Sequence, residues 1–133
     1  METTIFKMNL AHTPILFHTT NWNAIPVTEH VGETGIARWR TVQYESLRIR
    51  VVEYSENYKA DHWCKLGHIL YCLEGEMITE LSDGQTFKLS QGMSYQVTDG
   101  ASAHRTYSHK GVKVLIIDGG FLKPQNIHNP WKM

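Results

Sequence analysis

The chain has 133 residues, enough for one ordinary domain and too few for two. Thirteen Lys and Arg residues balance thirteen Asp and Glu residues, so the formal net charge at pH 7 is zero. This balance argues against the partners that are held by a strong opposite charge, namely nucleic acid and anionic membranes. Eight histidines remain as the unusual feature of the composition.

The sequence also lacks the apolar runs of exported and membrane proteins. Residues 1–17 carry polar side chains every few positions, unlike a signal peptide, and no run approaches the ~20 apolar residues that cross a bilayer. With only Cys64 and Cys72, a disulfide framework is not expected. We therefore expect a cytoplasmic protein that has no membrane partner.

A helical turn and two strands are the first predicted elements. The turn fits Asn21–Ile25, because Pro26 limits any longer helix. Strands are predicted over Ala37–Tyr44 and Leu47–Tyr54, where apolar side chains alternate with arginines. We expect the apolar side chains to face inward and the arginines to face solvent; the alternative is that the arginines recognise a carboxylate substrate inside a barrel. These arginines are Arg38, Arg40, Arg48 and Arg50.

Six further β-rich runs follow, each bounded by a turn signal. They are Gly67–Glu74, Met77–Leu81, Thr86–Leu89, Met93–Val97, His104–His109 and Val112–Asp118. Gly75-Glu76 is predicted to turn the first run into the second, and Asp83-Gly84 is a hairpin signal. Short strands with turns every eight to twelve residues are typical of an all-β sandwich or barrel. The end of the chain, Lys123–Met133, is predicted to be an extended tail that docks on the body or on a second subunit.

Four side chains that can bind a metal fall into one pattern. His62 and Cys64 are two residues apart, so on a strand both side chains leave the same face. Gly67 permits a bend, and His68 then begins the next strand. His104 begins a strand much later in the chain. Imidazole and thiolate together suit transition metals such as Zn, Fe and Ni, and do not suit Mg or Ca.

Two other residues have a predicted place inside the protein. Cys72 shares the inward face with His68 but lies too far along the strand to join it, so we expect a core residue. Tyr95 is a candidate cavity wall or catalytic proton donor. The remaining histidines have no partner at ligand spacing and are expected at the surface: His12, His18, His30, His109 and His128.

The spacing around these residues resembles the first motif of the cupins, G-x5-H-x-H-x3-4-E-x6-G. When Gly75 is placed on the closing glycine, His68 falls on the glutamate of the motif. Cys64 then falls on the second histidine and His62 on the first. Two ligand positions therefore differ in residue type from the motif, yet both residues are able to bind a metal. The Asp-His-Trp-Cys run also looks like a poorly characterised cupin subgroup that is named for such a motif.

The second cupin motif, G-x5-P-x-G-x2-H, has a looser counterpart. Gly92 matches its opening glycine and Gly100 its second glycine, with Thr98 where proline is usual. His104 lies one residue later than the pattern.

The resemblance implies a cupin-type double-stranded β-helix, an all-β jelly-roll barrel with extended N-terminal strands and a C-terminal tail. It would be a single domain over residues 1–133, with the core motifs at about 47–118, an N-terminal extension over 1–36 and a tail over 119–133.

The resemblance also implies a divalent transition metal (Zn, Fe or Ni) held by His62, Cys64, His68 and His104. The leading hypothesis is a metalloenzyme that acts on a small molecule by dioxygenase-like or isomerase-like chemistry. The alternatives are a non-catalytic small-ligand-binding or sensor protein with a closed structural metal site, and an interaction protein with a vestigial site. A homodimer is expected in each case.

Overall fold

The structure of the chain is a computed structural model that describes residues 14–124. Within this range the chain forms nine strands and two short 3-10 turns, at Trp22–Ala24 and Gly120–Leu122. The strands are β1 (Thr28–Val31), β2 (Ile36–Gln43), β3 (Leu47–Tyr54), β4 (Tyr58–Lys59), β5 (His68–Leu81), β6 (Thr86–Ser90), β7 (Ser94–Val97), β8 (His104–Ser108) and β9 (Val112–Gly119). Neither turn is long enough to cross a membrane, and the described residues contain no other helix.

The long strand β5 connects the two halves of a curled antiparallel sheet. The strands are hydrogen-bonded in the order β1-β2-β3-β9-β5-β8-β4, and β6 and β7 also pair with β5. The first half of β5 pairs with β7 and β9, whereas its second half pairs with β6 and β8. Because one strand belongs to both halves, the sheet closes on itself around a common interior. The predicted all-β jelly-roll architecture is thereby confirmed.

β5 bends where the sequence predicted a turn. The turn prediction at Gly75-Glu76 is wrong, because β5 continues through both residues. A bulge lies between Cys72 and Glu74, and Gly75 has a φ of +81°. A Cβ atom on Gly75 would lie 2.6 Å from the carbonyl oxygen of Gly111. Glycine is therefore needed here both for its conformation and for the close approach, and it bends a strand instead of reversing it.

Most of the other predicted elements are present. The turn Trp22–Ala24 lies inside the predicted Asn21–Ile25, and the side chain of Asn21 caps it by accepting the N–H of Asn23 at 3.2 Å. The strands β2, β3, β6, β7, β8 and β9 lie close to their predicted bounds. β1 and β4 were not predicted, since strands of four and two residues carry too little periodicity to be recognised. Most of the predicted tail, residues 125–133, lies outside the described residues.

The interior of the barrel is filled largely by apolar side chains. Among the buried core residues are Ala37, Val52, Leu70, Cys72, Met77, Leu89, Val112, Val114 and Ile116. Removal of this apolar surface from water is the main favourable contribution to folding. Cys72 is 0% exposed, which confirms its predicted place in the core.

The inward face of β3 is the opposite of the one expected. Arg50 is 5% exposed and lines an internal cavity together with Arg48, whereas Ile49 lies half-buried on the other face. Alternation separates the two faces of a strand but does not say which one is inward. The inward arginines are accommodated because Asp118, on the neighbouring strand β9, pairs with both of them. The prediction of solvent-facing arginines is therefore wrong for these two, while Arg38 is exposed as expected.

Candidate metal centre

The interior of the barrel contains a cavity of about 520 Å³. Its lining includes Trp39, Arg48, Arg50, Cys64, His68 and His104. The cavity thus brings together residues from the loop before β5 and from every strand except β6.

Backbone pairing places Cys64 directly beside His104. The N–H of Cys64 donates to the carbonyl of His104 at 2.8 Å, and the N–H of His104 donates back to the carbonyl of Cys64 at 3.0 Å. The expected strand through His62 and Cys64 is not formed, and Cys64 makes only an isolated bridge with His104 of β8. The shared face that the strand would have provided is therefore absent.

His68 enters the same site from the start of β5. Its side chain is 6% exposed and shares the inward face of the strand with Leu70, as predicted. The residue before it, Gly67, is anchored by donating its N–H to Asp99 Oδ1 at 2.6 Å. A Cβ atom on Gly67 would lie 2.5 Å from the carbonyl oxygen of Val97, so the chain can enter β5 here only without a side chain.

Cys64, His68 and His104 form a compact cluster. One ligand atom from each residue lies within 4.8 Å of the corresponding atom of the other two. Cys64 Sγ and His68 Nε2 are 3.4 Å apart, which is less than the ~4.3 Å reached by a Zn–S and a Zn–N bond placed in line. The two atoms are therefore close enough to bind one ion together.

Both imidazoles are oriented by a partner on their Nδ1 atom. His104 Nδ1 donates to the carbonyl of Ser102 at 2.9 Å, so the lone pair of the neutral ring lies on Nε2. That Nε2 atom is buried and has no hydrogen-bond partner. His68 Nδ1 lies 3.2 Å from Asp118 Oδ2, which likewise leaves His68 Nε2 to face the cluster. An outer hydrogen bond that sets the imidazole tautomer is the usual arrangement behind a metal-binding histidine.

The charges around Cys64 favour its thiolate form. Burial alone would raise the pKa of the thiol, but the neighbouring imidazoles of His104 and His68, the second of them hydrogen-bonded to Sγ, outweigh burial and lower this pKa to about 5. Burial would lower the pKa of His68, but Asp118 and Cys64 together raise it. The thiolate is the form of cysteine that binds metals, so the cluster holds its sulfur ready for an ion at neutral pH.

Asp118 belongs to this site, although no motif in the sequence indicates it. Its carboxylate binds His68 and both cavity arginines. Burial would raise the pKa of Asp118, but hydrogen bonds to His68 and Arg48 and the charge of Arg50 hold this pKa well below its ordinary value. The sequence does contain a sign of this role. The inward positions of β9 alternate with outward ones, and the inward position that follows Ile116 is occupied by the acidic residue Asp118.

His62 lies outside the cluster. Its side chain is 75% exposed, and its Nδ1 atom is 2.7 Å from Asp61 Oδ1. It belongs to the lining of the cavity without reaching the other three ligand atoms. The role of His62 as a fourth ligand stays a prediction.

Tyr95 forms part of the cavity wall, as expected. Its ring meets the edge of the His104 ring, with the centroids 5.6 Å apart. Burial raises the pKa of its phenol, so the hydroxyl keeps its proton at neutral pH. Its catalytic role stays a prediction.

One of the histidines assigned to the surface takes part in the cavity. His30 stacks on Trp39 with the ring centroids 3.8 Å apart and contributes to the lining. His18 and His109 instead hydrogen-bond to Tyr44 and Asn57 at the exterior. His12 and His128 lie outside the described residues.

The chemistry of the cluster fits a transition metal. One thiolate and two imidazole nitrogens are soft and intermediate donors, which Zn, Fe and Ni accept and which Mg and Ca do not. The unpartnered Nε2 of His104, buried among them, is explained by an ion at this position. The residues present therefore fit a divalent transition metal.

Comparisons with known proteins find likeness in structure and none in sequence. No protein-family model and no curated protein sequence matches the chain. Ectoine synthase from P. lautus is 15% identical, with a TM-score of 0.62 over 77% of this chain and 78% of that protein. A cupin-like protein from Thermotoga maritima is 15% identical, with a TM-score of 0.59 over 68% and 74% of the two chains. The Fe(II) form of HppE is 16% identical, with a TM-score of 0.65 over 81% of this chain and 64% of HppE. At these identities the likeness concerns the fold.

Proposed function

We propose that this chain, which has the cupin fold, binds one divalent transition metal ion and acts on a small organic molecule in the adjoining cavity. The proposed metal ligands are Cys64, His68 and His104, with Zn, Fe or Ni as the ion. One observation carries the proposal: the buried Nε2 of His104 has no hydrogen-bond partner, in a residue that offers a ligand atom within 4.8 Å of one from Cys64 and one from His68.

Three protein ligands favour a catalytic site over a structural one. Structural zinc sites use four protein ligands, whereas catalytic sites use three and keep a position for water or substrate. An ion bound there would polarise a substrate oxygen or lower the pKa of a bound water. The alternative of a closed structural site needs a fourth ligand, and the candidate, His62, lies at the surface of the protein.

The chain's own residues would prepare the site in distinct ways. Asp118 would hold the His68 ring in the orientation that presents Nε2. Tyr95, whose phenol remains protonated, would provide a wall and a hydrogen-bond donor beside His104. Dioxygenase-like and isomerase-like reactions remain the leading classes. Two proteins of similar fold, ectoine synthase and Fe(II) HppE, which has also been solved with a substrate, support a reaction on a small molecule.

The proposal also includes the assembly and location expected from the sequence. A homodimer is supported by large apolar side chains that face solvent near the start of the described residues, with Leu16 77% exposed and Phe17 95% exposed. Light scattering on the purified full-length chain should give twice the monomer mass. The cytoplasmic location and the lack of nucleic-acid and membrane partners stay predictions from the sequence.

Cobalt binding tests the proposed metal centre. We expect freshly purified protein to contain a transition metal by elemental analysis, and the stripped protein to bind Co²⁺ with a sulfur-to-cobalt charge-transfer band. Cys64→Ala should abolish that band. Cys72→Ala is the matched control, because it removes the other thiol, which is buried in the apolar core, and it should leave the band unchanged. Failure to bind cobalt, or a band that persists in Cys64→Ala, would overturn the proposal.

A further inference from the structure

The cavity holds a second cluster of charged groups beside the candidate metal ligands. Arg48 donates two hydrogen bonds to the carboxylate of Asp118, Nε to Oδ1 at 2.9 Å and Nη2 to Oδ2 at 3.0 Å. Arg50 donates a third hydrogen bond, from Nη2 to the same Oδ2 atom at 2.9 Å. Two guanidinium groups therefore share one carboxylate inside the barrel.

The nearest other carboxylates, of Asp61 and Glu53, do not balance this positive charge. Asp61 lies at the surface and pairs with His62. Glu53 lies on the outward face of β3 and pairs with Arg40. Arg48, Arg50 and Asp118, counted by themselves, therefore carry one surplus positive charge at the wall of the cavity, and the Arg50 end of this group is buried.

The buried guanidinium group of Arg50 packs on an aromatic ring and has one N–H donor without a hydrogen-bond partner. Its side chain is 6% exposed, and its guanidinium carbon lies 4.4 Å from the centroid of the Trp39 ring, which fixes the plane of the group. Its buried Nε has no hydrogen-bond partner. Burial and the charge of Arg48 lower the pKa of Arg50, as expected for a cation that lacks a full counter-charge. An anion bound at Arg50 would supply the missing counter-charge through charge-assisted hydrogen bonds.

We propose that Arg48 and Arg50 bind the carboxylate of a small monocarboxylic acid, which is the substrate class of the cavity. The inference rests on the proposed function in one respect, that the bound acid is the molecule on which the metal centre acts. A single negative charge matches the single surplus positive charge, whereas a phosphate group carries about −1.5 to −2 at neutral pH. Guanidinium groups also match the planar geometry of a carboxylate.

Asp118 places this anion next to the metal centre. Its Oδ2 atom contacts both Arg50 Nη2, at 2.9 Å, and His68 Nδ1, at 3.2 Å. The arginine pair and the ligand His68 are therefore separated by one carboxylate oxygen. An acid whose carboxylate binds the arginines directs the rest of its carbon chain into the cavity that the metal ligands line.

Calorimetric titration with lactate and its neutral amide, lactamide, tests the anion site. Both are titrated into metal-free protein at low ionic strength, and then into cobalt-loaded protein. We expect lactate to bind both forms and lactamide to bind about 10- to 100-fold more weakly, the range for the loss of a hydrogen bond to a charged group. Inorganic phosphate should bind more weakly than lactate, and tighter phosphate binding would overturn the carboxylate assignment.

Arginine variants locate the binding site. Arg48→Met should weaken lactate binding by about 10- to 100-fold. Arg38→Met is the matched control, because it removes an exposed arginine that pairs with Glu29 away from the cavity, and it should leave lactate binding unchanged. Arg50→Lys is the second variant; it keeps the charge, shortens the reach to Asp118 and should also weaken binding.

The two proposals fail in different ways. Cobalt binding with equal affinity for lactate and lactamide, or with full lactate affinity in both Arg48→Met and Arg50→Lys, overturns the anion site and leaves the metal centre standing. Lactate binding that depends on Arg48 in a protein that takes up no cobalt supports the anion site and overturns the metal centre.

Discussion

The neighbouring strands β3, β9 and β5 place apolar side chains at one end of the barrel interior and charged side chains at the other. The apolar end consists of Val52, Cys72, Met77, Val112 and Val114. The polar end consists of Arg48, Arg50, His68 and Asp118. On β3 and β9 the inward side is the same alternating face at both ends, whereas on β5 a bulge between Cys72 and Glu74 separates His68 from Met77.

The two ends of the interior contribute different properties: the apolar end contributes to stability, and the polar end contributes the groups that are able to bind a ligand. The apolar end removes hydrocarbon from water and packs it closely. The polar end buries charges that lose their hydration, and it is tolerated because each charged group has a partner nearby. We therefore expect substitutions at the apolar end to change stability alone, and substitutions at the polar end to change ligand binding as well.

Asp118→Asn should have the largest effect, because it acts on both properties. It leaves the buried Arg50 without its counter-charge, which should lower the free energy of unfolding by about 3–5 kcal/mol. It also removes the carboxylate behind His68, which should weaken cobalt binding by about 10- to 100-fold. Urea unfolding and cobalt titration measure the two effects. Asp61→Asn, an exposed site, is the control, and equal behaviour of the two variants would contradict a buried role for Asp118.

Met77→Ala should lower stability by a similar or slightly smaller amount and should leave the metal centre intact. Met77 is 1% exposed in the core, and removal of such a side chain costs about 2–5 kcal/mol. Cobalt affinity of the folded variant should equal that of the unmodified chain. Met93→Ala, at a side chain that is 48% exposed, supplies the comparison. A tenfold loss of cobalt affinity in Met77→Ala would show that the two ends are coupled.

Tyr58 connects the two ends, since it belongs to the core and also lines the cavity. Burial, with smaller effects from Tyr54 and Asp61, raises the pKa of Tyr58 from 10.0 to about 12. The folded state therefore favours the protonated phenol, so this contribution to stability is complete below pH 10 and is lost as the pH rises toward 12. Between pH 9 and pH 11, the free energy of unfolding, measured with urea, should decrease less in Tyr58→Phe than in the unmodified chain. Equal decreases in the two proteins would show that folding does not raise the pKa of Tyr58.

His62→Ala should have the smallest effect. Because the side chain is 75% exposed and lies outside the cluster, cobalt affinity should change by no more than about twofold, the range of an ordinary surface substitution. His68→Ala, at the buried ligand, is the contrasting variant and should abolish tight binding. A tenfold or greater loss in His62→Ala would restore His62 as a fourth ligand and favour the closed structural site.

Local patterns were sufficient to predict most strands and three members of the candidate cluster. His68 was predicted from strand alternation, because the inward positions of a strand repeat every second residue. Cys64 and His104 were predicted by motif spacing, although the structure joins them by a backbone bridge that spacing alone does not reveal. The predicted shared face of His62 and Cys64 assumed a strand where the chain forms a loop.

The inward arginines show why the rest was harder to predict. An arginine beside aliphatic residues normally faces water, and only a carboxylate on a neighbouring strand reverses that preference. Arg48 lies opposite Asp118 in the β3–β9 register, although the two residues are 70 positions apart in the chain. Pairing over that distance is a property of the sheet, so no local window contains it.

The sequence by itself determined the all-β class, the alternation of most strands and the supply of metal-binding side chains, because these depend on neighbouring residues. Only the tertiary structure decided which face of β3 is inward, which histidine stays outside, and that Asp118 links the arginines to His68. The physical reason is that a charge becomes acceptable inside a barrel only when the closed sheet brings its partner within hydrogen-bond distance.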